Sequence, residues 1–310
     1  MNRRDFLARS SFALSAGLLS RSWLRAQGTP PPAAPAAWTP EFKPLRRNVG
    51  LFTARGGTIG WLVNDDALAA VDTQFPDTAE TFLAGLPGRA GRTLDVVINT
   101  HHHGDHTSGN PVLKPASKSI VGHANVPELM RAAAERAKQP VDKLVVPDAT
   151  FADTWRTPLG DETVSARYFG PAHTRGDIVV TFEKANVVHL GDLMFNRLYP
   201  VIDRPGGARI RGWIPILEKI AAEYPADAIY IFGHGNPAFG VTGQRGDLLT
   251  LRDYLSGLLA HVEKEIAAGK AKADIVALEN LPGFPDFHVT RNSRLPANLG
   301  VAYDELTSGM

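Results

Sequence analysis

Residues 95–110 read DVVINTHHHGDHTSGN, an apolar, β-branched run that passes directly into four histidines and an aspartate within six positions. Residues 95–99 have the composition of a strand buried on both faces, so the polar cluster falls at that strand's carboxyl end. His101, His103, Asp105 and His106 obey the pattern H-x-H-x-D-H. In that pattern alternate residues of an extended turn face one cation, and the adjacent Asp-His pair turns toward a second. His102 occupies an x position. An incidental surface tract of histidines has no spacing rule and no partners elsewhere in the chain.

Partners do follow here. Outward from the cluster the hydrophobic period alternates between strand and helix. Strands are expected at 56–64 and 67–74 on one side, and at 119–123, 163–169, 177–183, 186–192 and 228–234 on the other. Helices are expected at 77–86, from about residue 109, and at 127–138, 211–223 and 245–267. Asp72 ends the strand ALAAVDTQ, His173 follows the strand 163–169 in GPAHTRGD, Asp192 ends NVVHLGD and His234 ends AIYIFGH. Strand ends on one edge of a sheet lie together in space, so these residues can converge on one site.

Composition narrows the chemistry. The chain has 310 residues, 44% of them hydrophobic, and a formal net charge of +1. It is long enough for a full core, and it lacks the basic footprint of a nucleic-acid-binding protein. It contains no cysteine. Disulfides, thiolate nucleophiles and thiolate metal ligands are excluded, and any metal must be held by nitrogen and oxygen. Imidazoles and carboxylates suit zinc, and iron or manganese is also compatible with them.

The two ends read differently. Arg3-Arg4, followed by the charge-free stretch 10–20, has the layout of a twin-arginine export signal over residues 1–26. That stretch is too short to span a bilayer, which takes roughly 20 residues, so no lasting membrane anchor is expected and the mature protein is placed in the periplasm. Residues 27–48 are rich in proline and alanine and read as a linker. The folded body is expected over 49–267. Residues 268–310 read as an extension, either an arm onto another subunit or a lid over the cleft.

The ordered set Asp72, H-x-H-x-D-H, His173, Asp192 and His234 resembles the metallo-β-lactamase-fold superfamily of metallohydrolases. The resemblance implies an α/β fold, an αββα four-layer sandwich with the metals along one edge. It implies that His101, His103 and His173 hold a first metal, that Asp105, His106 and His234 hold a second, and that Asp192 bridges them. Two zinc ions per chain and a metal-bridging hydroxide as nucleophile follow, with Asp105 and Asp192 catalytic and no serine or cysteine nucleophile required. With no cysteine for the second metal, the chain looks more like the thioesterase, lactonase and phosphodiesterase branches than the drug-hydrolysing ones. The expected activity is hydrolysis of a small ester, lactone, thioester or lactam. An iron-dependent persulfide dioxygenase, or an accessory metalloprotein of a quinoprotein dehydrogenase system, stays open as an alternative.

Around the ligands, Asp72 is a candidate to support a ligand histidine, with turn capping as the ordinary alternative. Asn110 is expected to shape the turn after the cluster. Asp177 either orients His173 or caps the turn before DIVVTFE. Asn196, Arg197, Tyr199 and Arg209 lie in or beside the segment after Asp192 and are expected to line the mouth, where an arginine can pair with a substrate carboxylate.

Overall fold

The protein was analysed as a computed structural model that describes residues 39–287 and 294–308. The expected export signal, and the expected linker up to residue 38, lie outside the described residues. Two mixed β-sheets organise the chain. The first has seven strands paired in chain order, β1 (Glu41–Arg46), β2 (Val49–Thr53), β3 (Ile59–Val63), β4 (Leu68–Val71), β5 (Val96–Asn99), β6 (Ile120–His123) and β7 (Ala149–Phe151). Its first four strands form an antiparallel meander, and β4 to β7 run parallel. The second sheet is built on β8 (Thr154–Leu159), β9 (Glu162–Tyr168), β10 (Ile178–Phe182) and β11 (Val187–His189). After the two-residue strand β12 (Phe195–Asn196), β13 (Ile229–Ile231) joins that sheet parallel to β11. Next come β14 (His234–Gly235), which pairs with β12, and β15 (Thr242–Gly243), which closes the sheet's far edge.

Strand periodicity explains the layers. In β10, Ile178, Val180 and Phe182 face the space between the sheets, while Val179 points to the opposite side. In β4 and β5, Ala69, Val71, Val96 and Ile98 face inward, and Leu68, Ala70 and Val97 face outward. Side chains alternate across a strand, so strands apolar at every position must be covered on both faces. Helix α1 (Pro76–Gly85) covers the outer face of the first sheet through Ala79 and Phe82. The short helices α2 (Gly104–Thr107) and α3 (Asn110–Leu113) carry the chain away from the histidine cluster, and α4 (Val126–Arg136) follows β6. Helices α5 (Ile210–Glu223) and α6 (Arg245–Ala267) cover the second sheet through Trp213, Leu217, Leu251, Leu255 and Leu258. The result is the expected αββα sandwich.

Two boundaries differ from the sequence reading. Residues 41–46, read as linker, form β1 on the sheet's edge, where Pro44 is tolerated because no ladder bond is required from its nitrogen. Beyond residue 267, α7 (Lys272–Val276) and α8 (Leu295–Thr307) join the core that α5 and α6 form. Leu295, Leu299 and Ala302 are fully buried there. The buried Glu305 carboxylate also accepts from the backbone N–H groups of Ile210 and Arg211, both at 2.9 Å. An anion at the open end of α5 satisfies donors that a helix start leaves unpaired. The described part of the extension is thus packed into the core of the fold. No helix among the described residues is long and apolar enough to cross a membrane.

Candidate metal centre

The carboxyl ends of β4, β5, β9, β11 and β13 deliver the chemistry. His101 to Asp105 leave β5, His173 lies in the loop after β9, Asp192 sits in a single turn after β11, and His234 opens β14. One ligand atom each from His101, His103, His173 and Asp192 fall within 4.8 Å of one another, as do one each from Asp105, His106 and His234. Asp192 stands between the groups. Its Oδ2 is 3.4 Å from His173 Nε2 and 3.8 Å from His101 Nε2. Its Oδ1 is 3.0 Å from His106 Nε2 and 3.4 Å from His234 Nε2.

The partners behind each ring set its tautomer. His106 Nδ1 faces Asp72 Oδ2 at 2.7 Å, and a carboxylate only accepts, so the proton is on Nδ1 and Nε2 keeps its lone pair. Thr100 Oγ1 donates to Asp72 Oδ2 at 2.7 Å, which leaves it to accept from His101 Nδ1 at 3.0 Å. His173 Nδ1 donates to the Val201 carbonyl at 2.8 Å. His103 is turned the other way, with Nε2 donating to Asp203 Oδ2 at 2.9 Å. Lone pairs on His101 Nε2, His103 Nδ1, His106 Nε2 and His173 Nε2 therefore point into one cleft. His103 Nδ1 and His173 Nε2 face each other at only 2.9 Å. His101 Nε2 and Asp192 Oδ1 are buried with no hydrogen-bond partner. Converging lone pairs and orphaned buried acceptors are what cations between them would resolve, and an all-nitrogen-and-oxygen donor set fits zinc, iron or manganese.

Electrostatics distinguish the two groups. Burial lowers the pKa of His173 to about 3, and burial with the neighbouring His106 holds His101 well below its ordinary value, so both stay neutral and able to ligate. Around the second group burial is outweighed by carboxylates, which lift His106 well above normal and His234 to about 9, so there a cation would take the place of the protons these rings hold. Burial would raise Asp192, but the positive charges of His234 and His106 hold it well below the carboxylate range.

Close packing of the site depends on glycine at several points. A Cβ on Gly233 would lie 2.0 Å from Asp192 Oδ1, and one on Gly191, whose φ is +50°, would lie 2.5 Å from Thr100 Oγ1. Only glycine permits backbone this near to a ligand.

The surrounding candidates fall in different places. Asp72 stands directly behind His106. Asn110 pins the turn after the cluster, bonding Thr73, Asn99 and the Val145 carbonyl. Asp177 accepts from the Thr174 N–H at 2.7 Å and its hydroxyl at 2.6 Å, closing the turn that carries His173, and burial raises its pKa to about 7. The expected mouth is corrected in part. Tyr199 is buried in the second-sheet core against Tyr254 and Phe287, because its ring finds apolar neighbours there. Asn196 is buried and donates to the Phe239 and Gly240 carbonyls. Arg197 is paired with Asp247 and lies over Phe239, so it is committed within the protein. Arg209 is exposed at the start of α5. Sequence reasoning missed Thr100 and Asp203. Thr100 adjoins the cluster, but Asp203 reads only as the start of an Asp-Arg-Pro-Gly turn, with nothing linking it to a histidine 100 residues earlier.

Comparison with known proteins agrees with this architecture. Residues 53–234 match the family model described as the metallo-beta-lactamase superfamily, and the chain belongs to that superfamily. It is 32% identical over 189 residues to a hydroxyacylglutathione hydrolase of Methylococcus capsulatus, covering 58% of this chain and 64% of the relative. It is 34% identical over 152 residues to that of Brucella ovis, covering 48% and 52%. The chain thus spans less than two-thirds of the length of these relatives. Among solved structures, a metallo-beta-lactamase from Pontibacter korlensis superposes with a TM-score of 0.56 at 16% identity, over 70% of this chain and 99% of that one, a likeness of fold.

Proposed function

We propose that the protein is a binuclear metal-dependent hydrolase that cleaves a small ester, lactone, thioester or lactam, with zinc as the metal. His101, His103 and His173 would hold one ion, Asp105, His106 and His234 the other, and Asp192 both. The observation that carries this reading is Asp192, whose two oxygens face two different groups of histidine nitrogens. When bound, such a metal pair polarises a carbonyl oxygen and brings the pKa of a shared water toward neutrality.

The protein's own residues define how substrate arrives. The side chains of His101, His106, His173 and Asp192 are at most 3% exposed, whereas His103, Asp105 and His234 are 21%, 31% and 23% exposed. Substrate therefore approaches over His103, Asp105 and His234, while the buried Phe195 ring stacks behind His234 and supports it. Burial would raise the Asp105 pKa, but the His106 and His234 charges hold it far below normal, so it stays ionised and able to ligate. The relatives are named for hydroxyacylglutathione, a thioester, which makes thioesters the first class to test. The twin-arginine start adds export to the periplasm to the proposal.

The test is metal analysis of protein from its own host, coupled to a panel of thioester, lactone, phosphodiester and β-lactam substrates. Two zinc ions per chain with turnover of a thioester or lactone is the expected result. A single iron with oxygen consumption, or bound metal with no turnover, would overturn it.

A further inference from the structure

We propose that Asp203 is the positioning residue of the first metal site, holding His103 in the tautomer that presents Nδ1 to the metal. This rests on the reading of His103 as a ligand. Among the four histidines with lone pairs turned into the cleft, His103 alone ligates through Nδ1, which requires a proton acceptor behind Nε2. Asp203 Oδ2 supplies it at 2.9 Å, and His102 Nε2 lies 3.3 Å from the same oxygen.

The carboxylate is held rigidly. Its Oδ1 accepts from the Gly206 N–H at 3.0 Å, capping a one-turn helix over Arg204–Gly206. A Cβ on Gly206 would lie 2.1 Å from Asp203 Oδ2, so the turn closes on the carboxylate only because that residue is glycine. The loop is fastened by the Arg175 N–H on the Gly206 carbonyl at 2.9 Å and by Arg204 on the Ala208 carbonyl at 2.9 Å. Arg204 also lies 3.7 Å from Glu305 of α8. The two oxygens thus divide two tasks, Oδ1 closing the turn and Oδ2 orienting His103, and the tasks can be separated by mutation.

Asp203→Ser keeps a short oxygen for the Gly206 N–H and cannot reach His103. Asp203→Asn has one acceptor for two donors. If its oxygen stays on Gly206, its NH2 faces His103 Nε2 and drives the ring proton onto Nδ1, where it blocks the metal. Both variants and the parent, as full chains, would be loaded with zinc against a chromophoric chelator. Histidine 15N spectra of the zinc form would read which nitrogen of His103 carries hydrogen. Each variant should bind the first zinc roughly 10–100-fold more weakly, with the second zinc little changed, and should lose the Nε2–H signature of His103. First-site affinity within about twofold of the parent, with that signature intact, overturns the proposal. His103→Ala separates the two readings. If it loses the first zinc while the Asp203 variants keep it, Asp203 alone has been misread; if it keeps the first zinc, the ligand assignment fails and this inference with it.

Discussion

Asp72 Oδ2 accepts a hydrogen bond of 2.7 Å from His106 Nδ1, and Asp72 does so from a left-handed backbone with φ of +68°. The Thr100 N–H and hydroxyl bond the same carboxylate, both at 2.7 Å. A strained backbone of this kind costs about 1–3 kcal/mol and persists where surrounding bonds over-determine it. Aspartate tolerates the conformation better than most residues. One residue therefore aims the ring of the second group and, through Thr100, the ring of the first.

Asp72→Asn keeps the shape and the left-handed backbone but offers one acceptor for three donors. The second zinc should be lost first, with affinity down roughly 10–100-fold, and the first should weaken less. Chelator competition followed by zinc analysis checks this; two zinc ions retained at parent affinity would show that Asp72 merely closes a turn.

His102 and His103 are neighbours with unequal roles. His103→Ala should abolish first-site zinc binding and most turnover. His102→Ala should keep zinc stoichiometry and a substantial part of the rate, while costing about 1–3 kcal/mol of stability from the cavity left by a buried ring. Equal loss of zinc in the two variants would mean that the H-x-H register has been misassigned.

Asp192→Asn removes the negative charge between the two groups. The variant should bind the second zinc more weakly and recover activity in part at high added zinc. Rates titrated against zinc for parent and variant decide it, since indistinguishable titrations leave no place for a bridge.

His189 is fully buried and outside the ligand set, with Nε2 donating to the Thr58 carbonyl at 3.1 Å and Nδ1 accepting from the Gly191 N–H at 3.1 Å. Burial lowers its pKa to about 4, despite the opposing charge of Asp72. The unfolded chain, with a histidine pKa near 6.5, takes up the proton first as the pH falls. Stability present above about pH 6.5 is therefore lost toward pH 4, on the order of 2 kcal/mol of it by pH 5. Denaturant unfolding of parent and His189→Gln between pH 7 and 5 should show a shallower acid decline in the variant; parallel curves would remove His189 as the cause.

Export is tested at the amino terminus. Replacing Arg3 and Arg4 together by lysine should leave the protein in the cytoplasm, because a twin-arginine receptor reads the paired guanidinium groups. Fractionation that still finds the variant in the periplasm would exclude that route.

Much of the site was legible because part of it is contiguous. H-x-H-x-D-H spans six positions, and its register is set by local backbone geometry at the end of β5. The strands were legible for a related reason, since the apolar centres of runs such as 95–99 and 177–183, Val96–Ile98 and Ile178–Val180, can only be buried. What escaped was structure whose local signal points elsewhere. Pro44 disguised β1, a proline- and glycine-rich approach disguised α8, and Tyr199 looked like a lining residue until the second sheet supplied apolar partners for its ring.

The sequence by itself determined the donor set, nitrogen and oxygen without sulfur, and the strand ends that carry it, because residue type and hydrophobic period are local properties. Only the tertiary structure decided which nitrogen of each ring faces the cleft. That choice depends on what stands behind the ring: Thr100 behind His101, Asp72 behind His106, the Val201 carbonyl behind His173 and Asp203 behind His103. Apart from Thr100, these partners come from 28 to 100 residues away. No spacing rule encodes such pairings, which arise when sheet edges and loops distant in the chain are packed together by burial of the three apolar layers.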